Sequence, residues 1–169
     1  MVDVDIKPLD RNHGLRAFSC GEARIDNYLK NNSWKEHKNY KIRIFVATIP
    51  EQTEVIGYYS FTFIAWTIDE KMPIGTTKKF ERIGTVPAIY LAKLGVTEAS
   101  AKQGIGAQLM RDAFNRTLRI SEHAGISTLT LEAISEEKAV WYEKLGLVRF
   151  EPGDLRMAIP LATIRKSVS

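Results

Sequence analysis

Apolar and acidic residues alternate from Val2 to Ile6, the two-residue period of a short strand. After Gly21 the period changes. Ile25, Tyr28 and Leu29 fall at spacings of three and four, which puts them on one face of a helix. Residues 30–40 are polar and admit either a continued helix or a loop. The segments 42–49 (IRIFVATI) and 55–64 (VIGYYSFTFI) are rich in β-branched and aromatic side chains, and the short polar stretch between them predicts a hairpin. Residues 66–87 hold Pro73, Gly75, Gly84 and Pro87 without a clean period, which predicts an irregular excursion with room for one helical turn. A strand over 88–96 and a loop over 97–106 follow. The next helix buries Leu109, Met110, Ala113, Phe114, Thr117 and Leu118 and stops at Gly125. Residues 128–134 alternate as a strand, and Ser135 stands as the N-cap of a helix whose first turn carries Glu136 and Glu137. Residues 147–150 and 155–161 predict two closing strands.

The strand–helix–strand step over 88–134 calls for a parallel, right-handed crossover, whereas the flanking hairpins call for antiparallel pairs. The expected fold class is α/β (α+β): a mixed central sheet of about six or seven strands with helices on both faces. At 169 residues, with 44% apolar side chains, one domain spanning 1–169 can bury its own core. No run reaches the length of a membrane span, and the acidic start MVDVDIKPLD lacks an apolar signal core. Cys20 is the sole cysteine, so no internal disulfide can form; together these features point to the cytoplasm. The net charge of +4 says little by itself, but its distribution says more. Lys30, Lys35, Lys38, Lys41 and Arg43 face a single acid, Glu36, and Lys71, Lys78, Lys79 and Arg82 face Glu81. These runs are either solvated surface or the footprint of an anionic partner.

The stretch with chemical content is Lys102-Gln103-Gly104-Ile105-Gly106-Ala107, set between a strand and a helix. The first N–H groups of a helix lack internal partners and carry partial positive charge, and glycines let the backbone approach a phosphate. Lys102 adds charge at the rim. The stretch is neither a Walker loop nor a dinucleotide fingerprint, since the Gly-Lys-Ser/Thr ending and the third glycine are missing. Alone, the glycine pair also fits a tight packing turn.

The surroundings of the pair resolve that ambiguity. With the aromatic pair Trp141-Tyr142 and the following Glu-Lys-Leu-Gly-Leu, the chain resembles the GNAT acetyltransferases. Their pattern is Arg/Gln-x-x-Gly-x-Gly/Ala after the fourth strand and aromatic-Tyr-x-x-x-Gly-Phe in the last helix. Two positions depart from it: Ala101 stands at the Arg/Gln position, with Gln103 nearby, and Leu147 replaces the Phe. Phe18-Ser19-Cys20-Gly21, Ile25-Asp26-Asn27-Tyr28-Leu29, Val55-Ile56-Gly57-Tyr58-Tyr59, and Val86-Pro87 leading into Leu91-Ala92-Lys93-Leu94-Gly95-Val96 are similar to the GNAT-type toxins of bacterial toxin–antitoxin pairs. The likeness covers roughly residues 15–160. Lys93 stands where that family commonly has arginine, and lysine lacks the planar fork.

The resemblance implies a GNAT fold and transfer of an acetyl group from acetyl-CoA to a primary amine. Leu94, Gly95 and Val96 would align the pantetheine arm and offer an N–H to the developing oxyanion. Lys102, Gln103, Gly104, Ile105, Gly106 and Ala107 would hold the pyrophosphate. Ser135 is either a plain cap or a cofactor contact. Tyr142 would protonate the departing thiolate. The toxin family acetylates the α-amine of aminoacyl-tRNA, which stops translation. Lys30, Lys35, Lys38, Lys41, Arg43, Lys78, Lys79, Arg82 and Lys93 would then meet the RNA backbone. A ribbon-helix-helix antitoxin and a homodimer are further implications, with no membrane partner. Two rival functions stay open: a GNAT enzyme for a small amine or a protein N-terminus, and a non-catalytic CoA-fold module or co-repressor. His13, His37 and His123 are too scattered for a metal site, Cys20 reads as packing, and Glu132 and Glu136 as solvated charge.

Overall fold

The computed structural model describes residues 1–169 apart from the side chains of Asp69, Ile74 and Thr76. Its elements run β1 (Asp5–Pro8), α1 (Ala23–Asn31), α2 (Ser33–Lys38), β2 (Arg43–Thr48), β3 (Gly57–Thr67), α3 (Ile74–Thr77), β4 (Thr85–Val96), α4 (Ile105–Ser121), β5 (Thr128–Glu132), α5 (Glu136–Lys144), β6 (Val148–Arg149), β7 (Arg156–Pro160) and α6 (Leu161–Val168). Among the described residues, seven strands form a mixed sheet in the order β1-β2-β3-β4-β5-β7-β6. The predicted hairpin is β2–β3, antiparallel with Arg43 opposite Phe61. The predicted crossover is β4–α4–β5, whose strands are parallel with Ala88 opposite Thr128. No described helix is long and apolar enough to cross a membrane.

The chain divides into two compact units, Met1–Thr62 with Ala92–Ala113, and Phe63–Leu91 with Phe114–Ser169. In the first, successive residues of β3 address opposite sides, as the strand period requires. Tyr58 points to α1, where its hydroxyl donates to the Ile25 carbonyl at 2.7 Å. Gly57 abuts Leu109 and Ile105 of α4, and the Tyr59 hydroxyl donates to Asp112 of α4 at 2.6 Å. Helices therefore cover both faces of this unit. Ile25 and Leu29 of α1 pack into a cluster with Phe18, Ile44, Val46 and Tyr58. Each such buried side chain contributes roughly 1.5–3 kcal/mol.

The second unit is organised around Trp66, which packs with Met72, Val86, Ala88, Phe150 and Ala158. Its indole N–H donates to the Thr130 hydroxyl at 3.0 Å, and Thr130 donates in turn to the Ile89 carbonyl at 3.1 Å. The polar atoms of this core are thus satisfied within the β4–β5 pair, as burial demands.

Four expectations shift. The first strand lies at Asp5–Pro8 rather than Val2–Ile6, because Lys7 and Pro8 take up the register against Val46 and Phe45. On an edge strand the missing N–H of proline costs nothing. The predicted loop over 97–106 ends earlier, since Ile105 and Gly106 already belong to α4. That helix ends at Ser121, short of Gly125. The last strand is followed by a helix the strand-only reading omitted: Pro160 ends the ladder as its N-cap, and α6 then buries Ile164. The irregular stretch is a series of short turns, Ile68–Glu70, Ile74–Thr77 and Lys78–Phe80.

Candidate active site

The connection from β4 to α4 is pinned at its start. The Thr97 N–H donates to the Ile56 carbonyl at 2.9 Å, and the Glu98 N–H to the Ser19 carbonyl at 2.8 Å. Its end carries two left-handed residues, Lys102 (φ 61°) and Gly104 (φ 80°). At Gly104 a Cβ would stand 3.2 Å from Met1 Cγ, an exposed side chain that can shift, so it is the positive φ of the backbone that selects glycine. The first turn-to-turn bond of α4 runs from the Gln108 N–H to the Gly104 carbonyl at 3.2 Å. The N–H groups of Ile105, Gly106 and Ala107 precede that ladder and have no partner in the helix. A left-handed turn feeding a helix N-terminus gathers such groups into an anion-binding concavity. All six residues from Lys102 to Ala107 thus fall on one turn, with Lys102, Gln103, Gly104 and Ala107 exposed.

Periodicity did not signal what lies over this turn. The Val2 N–H points to the Gln103 carbonyl at 3.4 Å, and Gln108 Nε2 donates to the Val2 carbonyl at 2.6 Å. The N-terminal dipeptide therefore borders the same loop.

Upstream, β4 runs on from Ala92 to Val96 past Leu91, the last position paired with β5. Gly95 is buried, and a Cβ there would meet Ile25 Cγ2 at 2.7 Å, Phe18 Cζ at 3.3 Å and Cys20 Sγ at 3.4 Å. Only glycine lets this strand end lie against the Phe18–Cys20 segment, which fixes the backbone of Leu94–Val96. Burial, reinforced by Asp26, pushes the Cys20 thiol up to about 11. Protonated at neutral pH, it packs and does not act as a nucleophile.

In the second unit, α5 presents Tyr142. The residue is 8% exposed, and its ring meets Trp141 edge-on at 4.9 Å. Burial alone pushes its phenol well above the ordinary range, so it keeps its proton. Its hydroxyl has no hydrogen-bond partner among the described residues, and the enclosed polar atom without a partner is Ser60 Oγ instead. Ser135 is the N-cap of the same helix, its Oγ accepting the Lys138 N–H at 3.2 Å. Glu136 is held by Arg149 through bonds of 2.8 and 2.6 Å, and that ion pair keeps its carboxyl below the usual range. An engaged, acidic carboxylate is a poor general base.

The basic candidates separate into three sets. Lys30, Lys35 and Lys38 are exposed on α1 and α2, and Lys41 pairs with Glu36 at 2.9 Å. Arg43 donates to the His37 carbonyl at 3.0 Å. Lys93 is half-buried, with Nζ 4.0 Å from the centroid of the Tyr28 ring. Desolvation, then Arg24, lower its affinity for a proton, and Glu36 opposes them. The Tyr28 hydroxyl donates to Glu36 at 2.7 Å, so Lys93, Tyr28, Glu36 and Lys41 form one network. The sequence marked Tyr28 as part of a helix face and Glu36 as the one acid of the basic run, but their pairing depends on how α1 and α2 pack and has no local signal. Lys78, Lys79 and Arg82 lie exposed on the turns of the second unit. His37 is structural: its Nδ1 accepts the Ile44 N–H at 2.9 Å, and burial, then Arg43, lower its pKa to about 4. His13 Nδ1 accepts the Asp10 N–H at 3.0 Å within a turn.

No family model matches the chain. It is 30% identical over 168 residues to a probable toxin TacT of Sinorhizobium fredii, covering 95% of this chain and 92% of that one. It is 25% identical over 128 residues to a tRNA-acetylating toxin of Mycobacterium tuberculosis, covering 76% and 74%. Among solved structures it is similar to AtaT complexed with acetyl-methionyl-tRNAfMet, with a TM-score of 0.86, 24% identity and coverage of 99% and 100%. It is also similar to a mutant of the toxin AtaT bound to acetyl-CoA and the C-terminus of the antitoxin AtaR, with a TM-score of 0.81, 23% identity and 97% coverage of each chain.

Proposed function

The chain belongs to the TacT-like family of GNAT acetyltransferase toxins, and from that premise we propose that it acetylates the α-amine of aminoacyl-tRNA with acetyl-CoA and so blocks translation. The observation that carries the chemistry is Tyr142: a buried ring, a phenol held protonated, and a hydroxyl with no partner among the described residues.

Acetyl-CoA supplies an activated thioester and a thiol leaving group. The turn Lys102–Ala107 holds its pyrophosphate, with backbone N–H groups as the donors and Lys102 as a charge at the rim. The unpartnered N–H groups before Gln108 and the left-handed Gly104 fit a diphosphate. The backbone of Leu94–Val96 aligns the pantetheine arm and offers an N–H to the oxygen that gains charge during attack. Tyr142 donates its proton to the leaving sulfur. The raised pKa suits that direction, because it keeps the proton on the phenol at rest. The Ser135 hydroxyl accepts one N–H and retains its own proton to donate toward the cofactor. The amine attacks in its neutral form, which an α-amine with a reference pKa of about 8 reaches more readily than lysine at about 10.4; the proton its nitrogen sheds on becoming an amide passes to solvent, from which the Tyr142 phenolate is reprotonated. Lys30, Lys35, Lys38, Lys41, Arg43, Lys78, Lys79, Arg82 and Lys93 meet the RNA phosphates. A homodimer and a ribbon-helix-helix antitoxin complete the reading.

The test combines labelled acetyl-CoA, bulk charged tRNA and the purified protein, with growth followed after induced expression. Label on aminoacyl-tRNA and growth arrest, both lost in Tyr142→Phe, are expected. Binding of acetyl-CoA with label appearing only on small amines or on protein N-termini would overturn the substrate assignment.

A further inference from the structure

The C-terminal turn of α2 contains a residue that serves neither the turn nor the core. The Tyr40 N–H donates to the His37 carbonyl at 3.1 Å, and the Lys41 N–H to the Glu36 carbonyl at 3.0 Å. These nested bonds force the residue between them into the left-handed region, and Tyr40 has φ 58°. Glycine is the usual occupant of that position, because a Cβ there is strained. Burial does not offset the strain, since Tyr40 is 83% exposed. Its ring is faced by Arg43, whose guanidinium carbon lies 5.1 Å from the ring centroid. Arg43 is itself fixed by its bond to the His37 carbonyl. One face of the ring is thus backed by a held cation, and the other is open.

The surroundings select the ligand. Lys35 and Lys38 stand exposed on α2, Lys30 on α1 and Lys41 beside the ring. The remaining exposed positions between Lys30 and Lys41 are Asn31, Asn32 and Asn39, so no second apolar side chain is available for insertion into lipid. An aromatic face framed by cations and amides suits an unpaired base with its flanking phosphates.

We propose that Tyr40 is a stacking platform for an unpaired base of the RNA substrate, with Arg43 backing the ring and Lys35 and Lys38 engaging the adjoining phosphates. The proposal rests on the RNA-substrate reading above and assigns it a residue that the basic runs did not mark. Stacking is sequence-tolerant, so Tyr40 contributes affinity rather than choice of base.

The test measures the affinity of the full chain for deacylated bulk tRNA and for a short single-stranded RNA, by fluorescence anisotropy across a salt series. Tyr40→Phe keeps the ring and binds as the wild type does. Tyr40→Gly binds about tenfold more weakly with an unchanged salt slope, since no phosphate contact is lost. The melting temperature of Tyr40→Gly does not fall, because glycine suits the turn, so weakened binding is not a folding defect. Lys38→Gln weakens binding and flattens the salt slope by about one unit. If the wild type binds RNA and Tyr40→Gly binds equally well, the platform is overturned and the substrate reading stands. If the wild type binds neither RNA but does bind phosphatidylglycerol vesicles, both fall.

Discussion

Two buried tyrosines of this protein solve the same problem in opposite ways. Tyr58, in the first unit, is fully buried, and its hydroxyl donates to the Ile25 carbonyl at 2.7 Å. Tyr142, in the second, has an almost equally buried ring and a hydroxyl without any described partner. Burial pushes the pKa of both phenols upward, so acidity does not tell them apart. What differs is the availability of the O–H. A buried phenol already bonded to backbone is a rivet, and one whose bond is left open is free to serve a ligand.

The comparison breaks most readily at Tyr142. Tyr142→Phe removes a proton donor but no bond to any described residue. The acetylation rate is expected to fall by about 10²–10⁴-fold with an unchanged melting temperature. Single-turnover kinetics beside a thermal melt decide it; a lost melting temperature with a retained rate would make Tyr142 a second rivet. Tyr58→Phe should show the converse. It removes one bond from a carbonyl that keeps its helical N–H, costs about 0.5–1.5 kcal/mol and lowers the melting temperature by a few degrees, with kcat retained.

A backbone change gives the next contrast. Gly104→Ala puts a Cβ on a left-handed residue 3.2 Å from Met1 Cγ. The strain is about 1 kcal/mol. The expected readout is a raised KM for acetyl-CoA with a nearly constant amine KM, since the distortion is confined to the phosphate turn.

A fourth expectation concerns pH. His37 accepts the Ile44 N–H through a neutral ring, and its pKa is lowered to about 4 from 6.5. The unfolded chain takes up a proton below 6.5 that the folded chain refuses. Stability is therefore complete above 6.5 and declines as pH falls toward 4. His37→Asn, which supplies an uncharged acceptor in place of Nδ1, should flatten that decline in melts taken between pH 7 and 4. An equal decline in both proteins would assign it to other groups.

These contrasts also mark what the sequence could carry. The hairpin, the crossover, the Ser135 cap and the glycine turn were legible because each rests on local signals: period, capping chemistry and spacing. Tyr142 was legible through its motif, but that its hydroxyl is unbonded depends on what the fold brings near it. The Val2–Gln103 and Gln108–Val2 bonds join residues about a hundred positions apart, and no periodicity encodes them. The final helix was missed because the apolar run 155–161 ends at its first residue, and only Pro160 marks the change. Lys93 faces the Tyr28 ring, a tertiary pairing that charge runs do not reveal.

Ser135 combines the traits of the two tyrosines, and its mutation has the smallest expected effect. Its oxygen already accepts the Lys138 N–H, as a rivet would, while its own proton has no described acceptor, like that of Tyr142. Ser135→Ala removes the cap and should cost about 1 kcal/mol. Ser135→Asp restores an acceptor at the cap but has no proton to give. If the hydroxyl serves only the helix, Asp recovers the melting temperature and the KM for acetyl-CoA never moves. If it also donates to the cofactor, Asp recovers the melting temperature alone, and KM stays raised by a few-fold, which is what one hydrogen bond of about 0.5–1.5 kcal/mol allows.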